Sequence, residues 1–143
     1  MEQPVRLVVP GRFDRLTDIA AFVTQAARTC GLNDDEVFHV EMAVDEACSN
    51  IIEHAYVDCS GDIEIACRCP ARGQFEVVLR DSGRPFDPEG VPVPEVGAVT
   101  DLDHLNEGGL GLYFMRKLMD EVRFESAPGQ GNTLIMLKRT KIE

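Results

Sequence analysis

The sequence has no unbroken apolar run of membrane length, and Met1-Glu2-Gln3-Pro4 opens no apolar segment preceded by positive charge. Neither a membrane-spanning helix nor a secretory leader is expected, and the chain is expected to be cytoplasmic. Basic residues are scarce: 14 Lys and Arg stand against 25 Asp and Glu, a formal net charge of -11. Such a surface repels nucleic-acid phosphates and anionic headgroups, so neither nucleic acid nor membrane is an expected partner, whereas a basic patch on another protein is. The five cysteines are an odd number scattered over helix and strand patterns, unlike a secreted disulfide framework, so reduced thiols are expected. Cys67 and Cys69, with Cys59 and His54, suggest no metal cluster, because alternation puts both strand thiols on the apolar face with Ile63 and Ile65. No internal repeat is visible. At 143 residues the chain fits one compact domain, 1–143, with one core and no room for a second catalytic module.

What is present alternates between the two hydrophobic periods. Val5, Leu7 and Val9 mark a strand closed by Pro10-Gly11, and Phe13, Leu16, Ile19, Ala20, Val23 and Ala27 mark an amphipathic helix stopped near Gly31. Asn33 to Glu36 reads as a capping box that opens a second helix running to about Tyr56. Ile63 to Cys69 and Phe75 to Leu79 read as a hairpin that ends at Asp81. The segment from Arg84 to Glu107 is rich in Pro, Gly and Asp without a sustained period, which suits a lid of about 84–107. A helix from Gly111 to Met119 and strands near Val122–Phe124 and Leu134–Leu137 complete the order. Helices on one face of a mixed, mainly antiparallel sheet, an α+β two-layer sandwich, are the predicted architecture.

Three short motifs carry chemistry. Glu46 and Asn50 stand at i and i+4 on the second helix and project from one face. An amide oxygen from Asn50 suits Mg²⁺, a hard cation that keeps several waters, and leaves Glu46 free to orient a hydroxyl and accept its proton. Asp81 at a strand end can accept the exocyclic amine of adenine, where guanine presents a carbonyl. Gly83 lets the backbone approach the ring, and Thr133 offers a hydroxyl at the same edge. Gly108-Gly109-Leu110-Gly111-Leu112 can present backbone N–H groups to phosphate at a helix start. That loop lacks the Gly-Lys-Ser/Thr ending of a Walker A sequence and follows no strand, so the Rossmann pattern fails as well. Each motif alone has an ordinary alternative: a solvated helix face, a turn and a glycine hinge. An acidic protein that holds an anionic nucleotide needs a cation between them, which makes ATP with Mg²⁺ the expected pair.

With the motifs in this order, nearly the whole chain resembles the GHKL ATPase superfamily of gyrase, MutL and the histidine-kinase catalytic domain. It is most similar to the anti-sigma-factor serine/threonine kinases of bacterial partner-switching systems. The matching stretches are Glu46 to Tyr56, Asp81 to Pro88, Gly108 to Leu112, Leu118 to Val122 and Gly131 to Leu134. The resemblance implies Glu46 as general base, Asn50 as Mg²⁺ ligand, Asp81, Gly83 and Thr133 at adenine, and Gly109 and Gly111 at the phosphates. It also implies a sigma factor or other regulatory protein as binding partner, an antagonist protein phosphorylated on serine, and a homodimer. The 84–107 segment departs from the family in carrying six acids against Arg84 alone, so no basic lid residue is evident; Arg12 and Arg15 are alternative sources of that charge. Two other readings stay open: a module that holds ATP or ADP and sequesters a partner without transfer, and a detached histidine-kinase catalytic domain.

Overall fold

The computed structural model describes residues 3–56, 59–84, 110–126 and 129–141. Strand β1 (Val5–Pro10) leads through a 3-10 turn at Phe13–Arg15 into helix α1 (Leu16–Thr29), followed by α2 (Asp34–Asn50) and a π-helical turn at Ile51–Ala55. Then come β2 (Asp62–Arg68), β3 (Gln74–Asp81), α3 (Leu110–Leu118), β4 (Glu121–Ser126) and β5 (Asn132–Arg139). The sheet order is β1-β2-β3-β5-β4, and every pairing is antiparallel, so the expected mixed, mainly antiparallel sheet is antiparallel throughout the described residues.

The period-2 pattern decides which face is covered. Ile63, Ile65 and Cys67 of β2, Phe75, Val77 and Leu79 of β3, and Leu134 and Met136 of β5 are buried against Ile19 and Val23 of α1 and Val40, Ala43 and Ala47 of α2. The opposite face carries cross-strand ion pairs, Arg80 with Glu64 at 3.2 Å and Arg68 with Glu76 at 2.7 Å. Phe13 lies outside the regular helix, in the 3-10 turn, and is exposed. No helix among the described residues is long and apolar enough to cross a membrane.

The start of α2 is fixed as its sequence implies. The Asn33 side chain accepts from Glu36 N at 2.8 Å, and Glu36 Oε1 accepts from Asn33 N at 2.9 Å. Glu36 also reaches across the chain: Thr140 Oγ1 donates to Oε1 and Lys141 N to Oε2, both at 2.8 Å. This carboxylate therefore ties the opening of α2 to the segment that follows β5. Burial opposes its ionisation, but hydrogen bonds from Asn33, Lys141 and Thr140, helped by Lys138, hold it below the usual carboxylate range. Near the same end of β5, the Lys138 ammonium donates to the Leu118 carbonyl and so closes the C-terminus of α3, where the helix dipole favours a cation.

The thiols require a correction. Cys30, the C-cap of α1, and Cys69, just beyond β2, form a disulfide with Cα atoms 5.4 Å apart, so the expectation of reduced thiols throughout does not hold. The physical reason lies in the face. Cys69 packs against the core on the apolar side of the sheet, which is the side α1 covers, and an odd total of cysteines is no obstacle to one pair. Cys48 and Cys67 remain free and buried, and burial above all pushes both thiols up to about 12.

Replacing Glu36 by Ala removes three accepted bonds at once and leaves the Asn33, Thr140 and Lys141 donors without that acceptor. A loss of about 2–3 kcal/mol is expected in urea unfolding. Because folding depresses this carboxyl's pKa, its contribution is fully present above the unfolded value and fades as acid protonates the folded group. The gap between parent and variant should therefore shrink on acidification from neutral pH to about pH 3, below the free glutamate value. A gap that stays constant over that range contradicts the assignment.

Candidate functional site

The last turn of α2 does not simply stop. After Asn50 the helix widens into the π-turn, where Tyr56 N donates to Ile51 O at 3.0 Å. Such local π geometry costs regular hydrogen bonding and appears frequently at functional sites. The turn abuts the end of β3: Arg84 N donates to Ala55 O at 3.0 Å and Arg84 Nε to His54 O at 2.7 Å. A Cβ built at Gly83 falls 2.4 Å from the Ala55 carbonyl oxygen, so only glycine permits this approach. The Tyr56 hydroxyl supports the same junction by donating to Asp62 O at 2.5 Å and accepting from Ser82 N at 2.9 Å.

A pocket opens where these segments meet, with about 400 Å³ of empty space when its opening to solvent is counted. Its wall is largely apolar, with Ala47, Ile51, Ala55, Leu79, Met115, Phe124 and Leu134, and the polar groups that line it are Asn50, Asp81, Asn132 and Thr133. A mostly apolar pocket with few convergent polar groups is the usual form of a small-molecule site. Asp81 is buried, and both hydrogen bonds it accepts among the described residues fall on Oδ1, from Gly83 N and Asn132 Nδ2, each at 2.9 Å. Burial pushes its carboxyl up, against those two bonds, which favour the charged form.

Asn50 is only 9% exposed, and among the described residues its side chain makes no hydrogen bond. A nearly buried amide without a protein partner is costly unless something else satisfies it, and its oxygen is the hard ligand that Mg²⁺ accepts. The donor set thus fits a cation bound chiefly by phosphate and water oxygens. Glu46, one helical turn earlier, is half-buried and does not line the cavity; burial first, then the charges of Asp45 and Glu53, raise its pKa.

The structure therefore gathers Asn50, Asp81 and Thr133 around one cavity, with Gly83 packed against Ala55, which lines it, and Glu46 on the adjoining turn of α2. Leu110, Gly111 and Leu112 form the first turn of α3. Gly108, Gly109 and the 85–107 part of the lid lie outside the described residues. Arg12 is held by Asp14 at 2.5 Å and Arg15 pairs with Asp18 at 3.5 Å, and neither lines the cavity. Sequence reasoning missed Asn132. In the β3–β5 register Asp81 stands opposite Asn132, while Thr133 stands opposite Arg80. Directly opposed residues share a face of the sheet, so the Asn132 side chain is the one that reaches Asp81. The signal was available in Gly131-Asn132-Thr133, but choosing between neighbours required the strand register.

Gly83→Ala is expected to force β3 away from the π-turn, at a cost of about 1–3 kcal/mol for the overpacked contact. Thermal unfolding measures that cost; an unshifted midpoint contradicts the close approach.

Residues 9–138 match the family described as the histidine kinase-like ATPase domain. The serine-protein kinase RsbW of Bacillus subtilis (strain 168) is 34% identical over 129 residues, 87% of this chain and 79% of that protein. The same-named protein of Bacillus velezensis (strain FZB42) is 32% identical over 138 residues, 94% of this chain and 84% of that protein. Among solved structures, that of the RsbU and RsbW domains of Rv1364c from Mycobacterium tuberculosis has a TM-score of 0.65 at 17% identity, covering 95% of this chain and 31% of that one, a likeness of fold. The fold, the motifs and the match across residues 9–138 together make the chain a member of the histidine kinase-like ATPase domain family.

Proposed function

We propose that the protein is an ATP-dependent serine/threonine protein kinase that acts as an anti-sigma-factor-type regulator in a bacterial partner-switching system and phosphorylates a serine of an antagonist protein. The observation that carries this reading is the placement of Asn50 and Asp81 on one cavity wall with Glu46 a single turn away. The similarity to the serine-protein kinases named RsbW supports the acceptor class.

In this reading Asp81 accepts the adenine amine, and the apolar wall of Ile51, Ala55, Met115 and Leu134 receives the ring. Mg²⁺, when bound through Asn50, supplies the charge that lets an acidic protein hold a polyphosphate. Glu46 orients the acceptor hydroxyl and takes its proton as the oxygen attacks the γ-phosphorus and the bond to the β,γ-bridging oxygen breaks. Its raised pKa makes it a stronger base than a free glutamate. The net charge of -11 favours partners that present basic surface.

Glu46→Ala is expected to lower transfer about 10²–10⁴-fold while ATP still binds. The test is labelled ATP incubated with the proteins that co-purify with the chain: label on a partner serine, lost in the variant, supports the kinase. ATP bound with no label on any partner identifies a module that sequesters without transfer. Because the working base must be unprotonated, kcat/KM should fall as pH drops through the Glu46 pKa, with a midpoint above the free glutamate value of about 4.3. An acid limb at or below that value contradicts the assignment.

Asn50→Ala is expected to abolish the tightening of ATP binding by Mg²⁺, since the amide ligand is lost. Calorimetric titrations with and without Mg²⁺ decide the point, and equal Mg²⁺ dependence in parent and variant refutes the role.

A further inference from the structure

The Asp81 carboxylate is held by a short relay of side chains that no motif announces. Ser126 Oγ, at the end of β4, donates to Asn132 Oδ1 at 2.8 Å. Asn132 Nδ2 donates to Asp81 Oδ1 and to the Arg84 carbonyl, both at 2.9 Å. The orientation of the amide follows from its partners: a carboxylate and a carbonyl accept only, so the NH₂ group must face them. With Gly83 N also on Oδ1 at 2.9 Å, the relay engages one carboxylate oxygen twice, and Oδ2 carries neither bond. Gly131, with φ +73° and an added Cβ falling 2.0 Å from Asp81 O, brings the start of β5 close enough for the contact.

We infer that Asn132, locked by Ser126, is the positioning residue that holds the Asp81 carboxyl rotated to accept an adenine amine, and so sets the preference for ATP over GTP. This rests on the nucleotide site proposed above. The chemistry is a matter of sign. A carboxylate accepts from the amine of adenine and repels the carbonyl that guanine presents at the same place, whereas a protonated acid donates to that carbonyl. Burial already favours the protonated form of Asp81, and the Asn132 bond opposes it. Removing the amide therefore both frees the carboxyl to rotate and moves it toward the form that admits guanine. Among the described residues that line the cavity, Asp81 is the only one that titrates, so selectivity reports on this group.

The test measures ATP and GTP affinity over a pH series for the full chain and for Asn132→Leu and Ser126→Ala, with thermal unfolding alongside. In the parent, ATP preference is expected to hold at neutral pH and to decline as acid protonates Asp81. In Asn132→Leu the preference should fall about tenfold, the scale of one hydrogen bond to a charged group, and the decline should begin at higher pH. Ser126→Ala, at an exposed strand end, frees the amide to turn and should give a smaller change in the same direction. A folded Asn132→Leu with parental selectivity and pH profile overturns the inference while leaving the nucleotide site intact. Should Asn132→Leu fail to fold, Ser126→Ala with unchanged selectivity overturns it. A folded parent that binds neither nucleotide overturns the underlying site as well.

Discussion

The arrangement depends on one backbone contact, where the end of β3 meets the turn that follows α2. Gly83 lies against the Ala55 carbonyl at a distance no side chain tolerates, and Arg84 fastens the junction through the carbonyls of Ala55 and His54. Helix α2 carries Glu46 and Asn50, and β3 delivers Asp81, so their relation is set by how closely these two elements end together. The π-turn at Ile51–Ala55 is what lets α2 bend into that contact after Asn50. The remaining scaffold holds the two elements in place: the capping box and the Glu36 bonds to Thr140 and Lys141 anchor the opposite end of α2, and the apolar faces of β2, β3 and β5 support its length.

Electrostatics runs through the same few groups. Burial raises the pKa of Asp81, and the two hydrogen bonds it accepts oppose that rise. Partial burial, and then the acidic neighbours Asp45 and Glu53, lift the Glu46 pKa. Burial is the leading cause of the rise in both carboxylates, and only Asp81 has hydrogen bonds opposing it. Asn50, nearly buried, makes no side-chain hydrogen bond among the described residues and lines the pocket beside Asp81.

Features of short range were legible in the sequence. The capping box of Asn33 and Glu36, the stop at Gly31, the β2–β3 hairpin and the i, i+4 pairing of Glu46 with Asn50 all follow from residues within a turn or two of each other. The antiparallel sheet with its helices on one face followed from the alternation of its strands. Features that join distant segments were not legible. The Cys30–Cys69 disulfide spans 39 positions, and parity of the cysteine count carries no information about one pair. Asn132 reaches Asp81 across 51 positions through the β3–β5 pairing, whereas Thr133 stood out by its hydroxyl and by the resemblance alone. The π-turn has no marked sequence signal at all, since Ile51 to Ala55 continues the helical pattern unbroken.

The most direct measurement follows the side-chain amide resonances of Asn50 and Asn132 in the isotopically labelled chain during a titration with ATP and Mg²⁺. One cavity bounded by both residues requires the two signals to shift together and saturate at the same ATP concentration, with the Asn50 response dependent on Mg²⁺ and the Asn132 response retained without it. Signals that stay still, or that saturate at different concentrations, contradict a single nucleotide site built by α2, β3 and β5.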